Sequence, residues 1–291
     1  YNLGVIFAKF GKLKQAKYSF KKSIELNPAY MNAHNNLGIV LINLGKLEEA
    51  EFAIRKSIEL NPDSALAHNN LGILLNTIGK FSQAEISSKK AIQLNPDFAD
   101  AHLSLGNIFK NLGKSNSAFD AYIKVIQLQG DNPLVYALIT EFLKNASLFE
   151  LDRTKLRNIL HILLDRNDIA HKDLFNSFNY CYKNEILSHL RLLSKDLLTN
   201  NLLKKFINER TIIQAMKKII FMDYEFEKVF TNIRSNILDL INNRKIYDTY
   251  YNLDFITALA EQCFLNEFVY SITNEEIIDI NKLINKYKDT T

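Results

Sequence analysis

A shift of 34 residues lays this chain on itself: Ala33-His34-Asn35-Asn36-Leu37-Gly38 returns as Ala67-His68-Asn69-Asn70-Leu71-Gly72. By the same shift, Ile58-Glu59-Leu60-Asn61-Pro62-Asp63 returns as Ile92-Gln93-Leu94-Asn95-Pro96-Asp97. Such a period marks a supersecondary unit that completes its core only against neighbouring copies of itself. Met31–Ser64 is one full unit, Ala65–Phe98 and Ala99–Asn132 follow in register, and a partial unit occupies Tyr1–Tyr30.

Glycine and proline punctuate each unit. Eight of the nine glycines fall at two positions, represented by Gly38 and Gly45, and Pro28, Pro62 and Pro96 share a third. Leu37, Leu41 and Leu44 recur at helical spacing, which predicts a first helix over Asn32–Leu44. Gly38 lacks a Cβ and admits a close neighbour, while Gly45 suits the left-handed residue that ends a helix. A second helix is predicted over Leu47–Leu60, with Ala50, Ile54 and Ser57 facing the first. Asn61-Pro62 stops it, with Asn61 expected in the left-handed region, and Asp63 and Asp97 are placed to cap the helices that follow.

Leu37-Gly38, Leu41, Ala50, Ile54, Ser57 and Pro62 occupy the signature positions of a tetratricopeptide repeat, and the array resembles that family. The fourth unit departs from the pattern, with Ser115 for a large apolar residue and Gly130 for proline. The resemblance implies an all-α solenoid of about four helix-turn-helix repeats, coiled into a right-handed superhelix with a concave wall of first helices. On that wall the residue preceding Leu-Gly is Asn2, Asn36, Asn70 and then Ser104. A carboxamide both donates and accepts, so such a ladder can pair with peptide backbone irrespective of sequence. It is similar to the asparagine ladder of the O-linked N-acetylglucosamine transferases. Asn35, Asn69, Asn43, Asn76 and Asn111 add polar groups, and the same wall without a ligand is a plain solvated scaffold.

Other chemistries fit poorly. His34, His68 and His102 recur once per unit, and helices packed about 8–10 Å apart cannot bring them within the roughly 2 Å that zinc requires. They are expected to pack at repeat junctions, with no metal and no cofactor bound. Lys21-Lys22, Arg55-Lys56 and Lys89-Lys90 form an outer basic stripe without the interleaved aromatics of a nucleic-acid surface, which makes a solvated face. Residues 1–132 hold 15 Lys and Arg against 11 Asp and Glu, so the array carries the whole net charge of +4. Cys181 and Cys263 form no Cys-x-x-Cys pair, and no apolar run has the length of a membrane span. A cytoplasmic protein is the expectation. Tyr1 already lies within a repeat, so the chain is expected to begin partway through a longer protein.

Residues 133–291 contain no repeat, one proline and no glycine. Helices are predicted over Pro133–Asn145, Arg153–Asp165, Lys172–Lys195, Leu202–Ile219, Tyr224–Ile241, Asp254–Tyr270 and Asn274–Lys286. Thr273 and Glu276 are spaced as a capping box for the last. A nucleotide or S-adenosylmethionine pocket needs a glycine-rich turn that this segment lacks, so no catalytic residue is assigned. Cys263 is expected as a core thiol, with Asn266 and Glu267 in structural hydrogen bonds. Phe255–Tyr270 and Asn201–Leu238 resemble the helical spacer of bacterial proteins in which a tetratricopeptide array precedes an S-adenosylmethionine-dependent methyltransferase. Two functions lead, and a basic RNA-binding solenoid, whose binding would weaken steeply with salt, is a third reading. The first is a non-catalytic scaffold that binds an extended peptide of a partner protein. The alternative is the substrate-recruiting arm of a larger methyltransferase, or less readily of an O-linked glycosyltransferase. Oligomeric state is not legible.

Overall fold

The computed structural model describes residues 1–130, 132–191, 208–221, 223–242, 253–265 and the isolated helical positions 274, 277–278 and 281–282. The chain divides into two compact units, Tyr1–Val135 and Tyr136–Thr291. No strand occurs among the described residues.

The first unit consists of four helix pairs. They are α1 (Asn2–Lys9) with α2 (Leu13–Leu26), α3 (Met31–Asn43) with α4 (Leu47–Leu60), α5 (Ala65–Thr77) with α6 (Phe81–Leu94), and α7 (Ala99–Asn111) with α8 (Ser115–Gln129). The apolar stripe of each first helix is buried against its second helix, and Leu37, Leu41, Ala50 and Ile54 share one core with Leu71, Leu75 and Ala84 of the next pair. Close packing makes Gly38 obligatory, because a Cβ there would lie 2.4 Å from Ile54 Cγ1. Gly45 turns the chain between the helices with φ of 71°, a conformation that costs a side chain-bearing residue strain.

The repeat-to-repeat turn differs in two respects from expectation. Asn61 is extended, with φ −145° and ψ 95°, because the following proline excludes compact conformations of the residue before it. Asp63 and Asp97 do not cap: their backbone N–H groups donate to Asn61 Oδ1 (3.1 Å) and Asn95 Oδ1 (3.3 Å). The side chain of Asn61 thus builds the turn, and capping of α5 passes to Ser64, whose Oγ accepts from Ala67 N at 3.3 Å. The histidines close the same turn. His34, His68 and His102 each place Nε2 2.9 Å from the carbonyl oxygen of Pro28, Pro62 and Pro96. A carbonyl only accepts, so each ring carries its proton on Nε2.

Successive first helices touch, α3 with α5 and α5 with α7, whereas successive second helices make little or no contact. The stack therefore curves with first helices on its inner wall and second helices on its outer face. Across that face Lys80 pairs with Glu51 (3.4 Å) and Lys114 with Glu85 (2.8 Å), one ion pair per junction.

The helix α9 (Pro133–Asn145) follows, and the second unit holds α10 (Arg153–Asp165), α11 (Phe175–Arg191), α12 (Arg210–Lys218), α13 (Tyr224–Asn242) and α14 (Leu253–Leu265). The α11 helix begins later than its sequence pattern suggests because His171–Leu174 forms a tighter 3-10 turn before it. Its core is aromatic: Phe221 meets Phe175, Phe178, Phe226 and Phe230 edge to face, with centroids 5.0–5.9 Å apart. Gln262 on α14 is fully buried and fastens the end of α12. Its Nε2 donates to the carbonyls of Met216 and Ile219, and its Oε1 accepts from Phe221 N at 3.2 Å. Of the predicted helices, residues 192–195, 202–207, 266–270, 279–280 and 283–286, together with Thr273, Glu275 and Glu276 of the capping box, lie outside the described residues, as does the side chain of Cys263.

Candidate functional site

The inner wall is built by one row of side chains that recurs on successive first helices. On α3 the row Asn32, Asn36, Ile39 and Asn43 runs along the helix at spacings of four, three and four residues, which keeps it on one face. The corresponding rows are Leu66, Asn70, Ile73 and Thr77 on α5, and Asp100, Ser104, Asn107 and Asn111 on α7.

The asparagines preceding Leu-Gly do not stand free on this wall. Asn70 is 7% exposed and donates from Nδ2 to Asn35 Oδ1 of the previous repeat at 2.9 Å. Asn36 donates in the same way to the Tyr1 hydroxyl at 2.8 Å. Each donor reaches back 35 residues, which is one repeat plus one position. The ladder expected to meet peptide backbone is thus first of all a bond between repeats. The reason is geometric: touching first helices leave the carboxamide closer to the neighbouring helix than to open solvent, and a buried amide must find a partner. A second rung repeats the interval nearer the helix ends, where Asn111 Nδ2 donates to Asn76 Oδ1 at 2.9 Å.

Ser104 interrupts the ladder. Its Oγ donates to Asp100 O in its own helix at 2.8 Å, since the side chain is too short to span to Asn69. Asn69, 2% exposed, is left with a buried Oδ1 that has no hydrogen-bond partner. Of the nine candidate residues, Asn35, Asn69, Asn70 and Ser104 are buried, Asn36 and Asn76 half-buried, and Asn2, Asn43 and Asn111 exposed. Asn43 forms no such rung, because 35 residues back stands Ala8, which offers no side-chain acceptor.

Between the polar rungs the wall is aliphatic. Leu66 is 47% and Ile73 38% exposed, and Ile39 is half-buried in the same row. Asn32, also exposed, completes the row on α3, and Asn107 accepts from the Tyr122 hydroxyl at 2.9 Å. None of these five was singled out from the sequence, although their spacing from Asn36, Asn70 and Ser104 carries the signal.

The outer basic stripe is largely neutralised within its own helices. Lys22 pairs with Glu25, Arg55 with Glu51, Lys56 with Glu59 and Lys89 with Glu85 at 2.5–2.8 Å. Among the described residues no three His, Cys, Asp or Glu side chains are placed to hold a metal ion, and no helix is long and apolar enough to cross a membrane.

Family models of the tetratricopeptide repeat match residues 1–30, 32–64, 53–86 and 99–132. Among solved structures the chain is similar to PilF of Pseudomonas aeruginosa at 20% identity and a TM-score of 0.48, covering 70% of this chain and 93% of that one. It is also similar to a thermophilic TPR protein of Thermus thermophilus at 22% identity and a TM-score of 0.46, covering 55% and 87%. MamA of Desulfovibrio magneticus gives 19%, 0.43, 48% and 80% for the same quantities. No curated protein matches the chain with significance.

Proposed function

Residues 1–132 are an array of tetratricopeptide repeats, and from that premise we propose that the chain is a protein-interaction scaffold whose inner wall binds an extended segment of a partner protein. The observation that supports this reading is the alternation along the first helices. Exposed carboxamides at Asn2, Asn32, Asn43 and Asn111 are interspersed with exposed aliphatic side chains at Leu66 and Ile73. Amides satisfy backbone N–H and C=O groups of an extended chain, and the aliphatic positions accept alternate side chains. Asn36 and Asn70 act one step back, holding neighbouring first helices in register for the residues that make contact.

This division of labour separates two classes of variant. In a peptide-array screen of the full chain, Leu66→Glu and the pair Asn32→Ala with Asn43→Ala weaken peptide binding and leave the melting temperature close to wild type. Asn70→Ala lowers the melting temperature. Unchanged peptide binding in all the surface variants would remove the inner wall as the site. The buried thiol of Cys181 suits a reducing compartment such as the cytoplasm, where such a scaffold works on soluble partners.

A further inference from the structure

The outer face carries a second apolar feature that the inner-wall reading leaves unused. At one position of three successive second helices stand Tyr18, Phe52 and Ile86, exposed by 65%, 74% and 71%. A single exposed hydrophobe needs no explanation, but the same position filled three times on neighbouring helices makes a surface. In the fourth repeat the position is Asp120, so the surface stops there.

At Phe52 the surface opens into a groove of about 460 Å³ between α2 and α4, floored by α3. Its floor is apolar, made by Ile24, Leu37, Leu41 and Ala53. Its rim carries Lys21, Glu25 and Glu49. Both carboxylates are already matched, Glu25 by Lys22 at 2.5 Å and Glu49 by Lys17 at 3.2 Å and Lys46 at 2.8 Å. Lys21 enters no ion pair among the described residues. Four lysines thus surround two glutamates, and the one cation left over stands at the mouth of the groove.

We propose that this groove is a second docking site, distinct from the inner wall, for a segment of another protein that seats one large apolar side chain against Phe52 and sets a carboxylate against Lys21. The volume lies in the range of about 300–1,000 Å³ that binding pockets occupy, and the apolar floor supplies the anchor site of such a contact. The charge of the rim selects an acidic partner over a basic one. It also disfavours a second copy of this chain. Two such faces brought together would set Lys14, Lys17, Lys21 and Lys22 of α2, which has only Glu25 among its acids, against a similarly basic helix.

The test is a displayed random-peptide library selected on the full chain and counter-selected on its Phe52→Glu variant, whose exposed site leaves the fold intact by circular dichroism. The expected survivors carry a Leu, Phe or Trp flanked by Asp or Glu. Made synthetically, they lose affinity by about tenfold or more on Phe52→Glu and on Lys21→Glu, and bind the Asn32→Ala with Asn43→Ala variant as tightly as wild type. Survivors without an acidic bias, or none at all, overturn the proposal. So does equal binding to Phe52→Glu. Sedimentation equilibrium supplies the remaining arm: self-association that Phe52→Glu abolishes would assign the surface to a second copy and overturn the acidic partner.

Discussion

In the array Asn36 reaches Tyr1, Asn70 reaches Asn35 and Asn111 reaches Asn76, all across one interval of 35 residues. In the second unit a single side chain, Gln262, holds the end of α12 to α14 through bonds to Met216, Ile219 and Phe221. Repetition makes the first arrangement tolerant. Asn69 has lost its partner at Ser104, yet the stack continues through Leu105, Ile108 and Phe109, which remain buried. A non-repeating unit has no equivalent rung to fall back on, so its polar contacts are concentrated and each one matters more.

The largest effect is therefore expected at the concentrated site. Gln262→Leu keeps the volume but strands two carbonyls and an N–H in an apolar surround, at about 1–3 kcal/mol for each group left unmade and not fully additive, or about 3 kcal/mol in all. Chemical denaturation of the full chain measures it. The readout local to this unit is Cys181, whose thiol is buried and pushed up to about 11 by desolvation, with Arg157 and Arg153 pulling the other way. Native Cys181 resists alkylation, and Gln262→Leu exposes it at lower denaturant. A loss no larger than that of Asn70→Ala would break the contrast between the two units.

Next comes the interior of the array. Gly38→Ala places a methyl 2.4 Å from Ile54 Cγ1, and overpacking of this kind costs about 1–3 kcal/mol. In an Ile54→Ala background, which lacks the crowding Cγ1, Gly38→Ala costs less than in the wild type, and that difference identifies crowding as the cause. Gly45→Ala meets no neighbouring atom within 4 Å and is destabilising only through its positive φ, by about 1–2 kcal/mol. No second substitution in the core rescues it.

These two glycines were legible because the repeat states each requirement four times, once for packing and once for conformation. The second helix of the full unit and the helices at 133–145 and 153–165 could be bounded from capping and periodicity alone. What the sequence did not disclose was which neighbour a polar side chain finds. Asn36 reads identically whether it faces a groove or an adjacent helix, and the interval of 35 residues emerges only when first helices are seen to touch. Gln262 carried no signal at all, since Met216, Ile219 and Phe221 lie 41–46 residues away in the sequence.

Ser104→Asn restores the rung that the fourth repeat has lost. An asparagine there reproduces the pair Asn70 with Asn35 one repeat further on, giving the buried Asn69 Oδ1 a donor. A satisfied hydrogen bond in place of an orphan acceptor is worth about 1 kcal/mol, so the melting temperature rises. A fall would mean that Asn69 is oriented with its amide nitrogen toward Ser104, and that the ladder ends by design at the fourth repeat.

The smallest effect belongs to the ion pairs of the outer face. Lys114 and then Lys89 hold the Glu85 carboxyl below its usual range, against an opposing effect of desolvation, and Arg55 does the same for Glu51. A carboxyl whose folded pKa is depressed contributes stability above its unfolded value, and that contribution drains away as the pH falls through the folded one. Glu85 is shielded, but Lys89 and Lys114 are about half exposed, so solvent screening keeps the junction under about 1 kcal/mol. The difference in melting temperature between wild type and Glu85→Gln is accordingly small at about pH 7, shrinks in molar salt, and closes at acid pH below the carboxylate range of about 4. A difference that persisted in acid would place the effect of the substitution in the hydrogen bonds of the new amide group, since Glu and Gln share one side-chain stem and protonation removes the charge, and not in the ion pair.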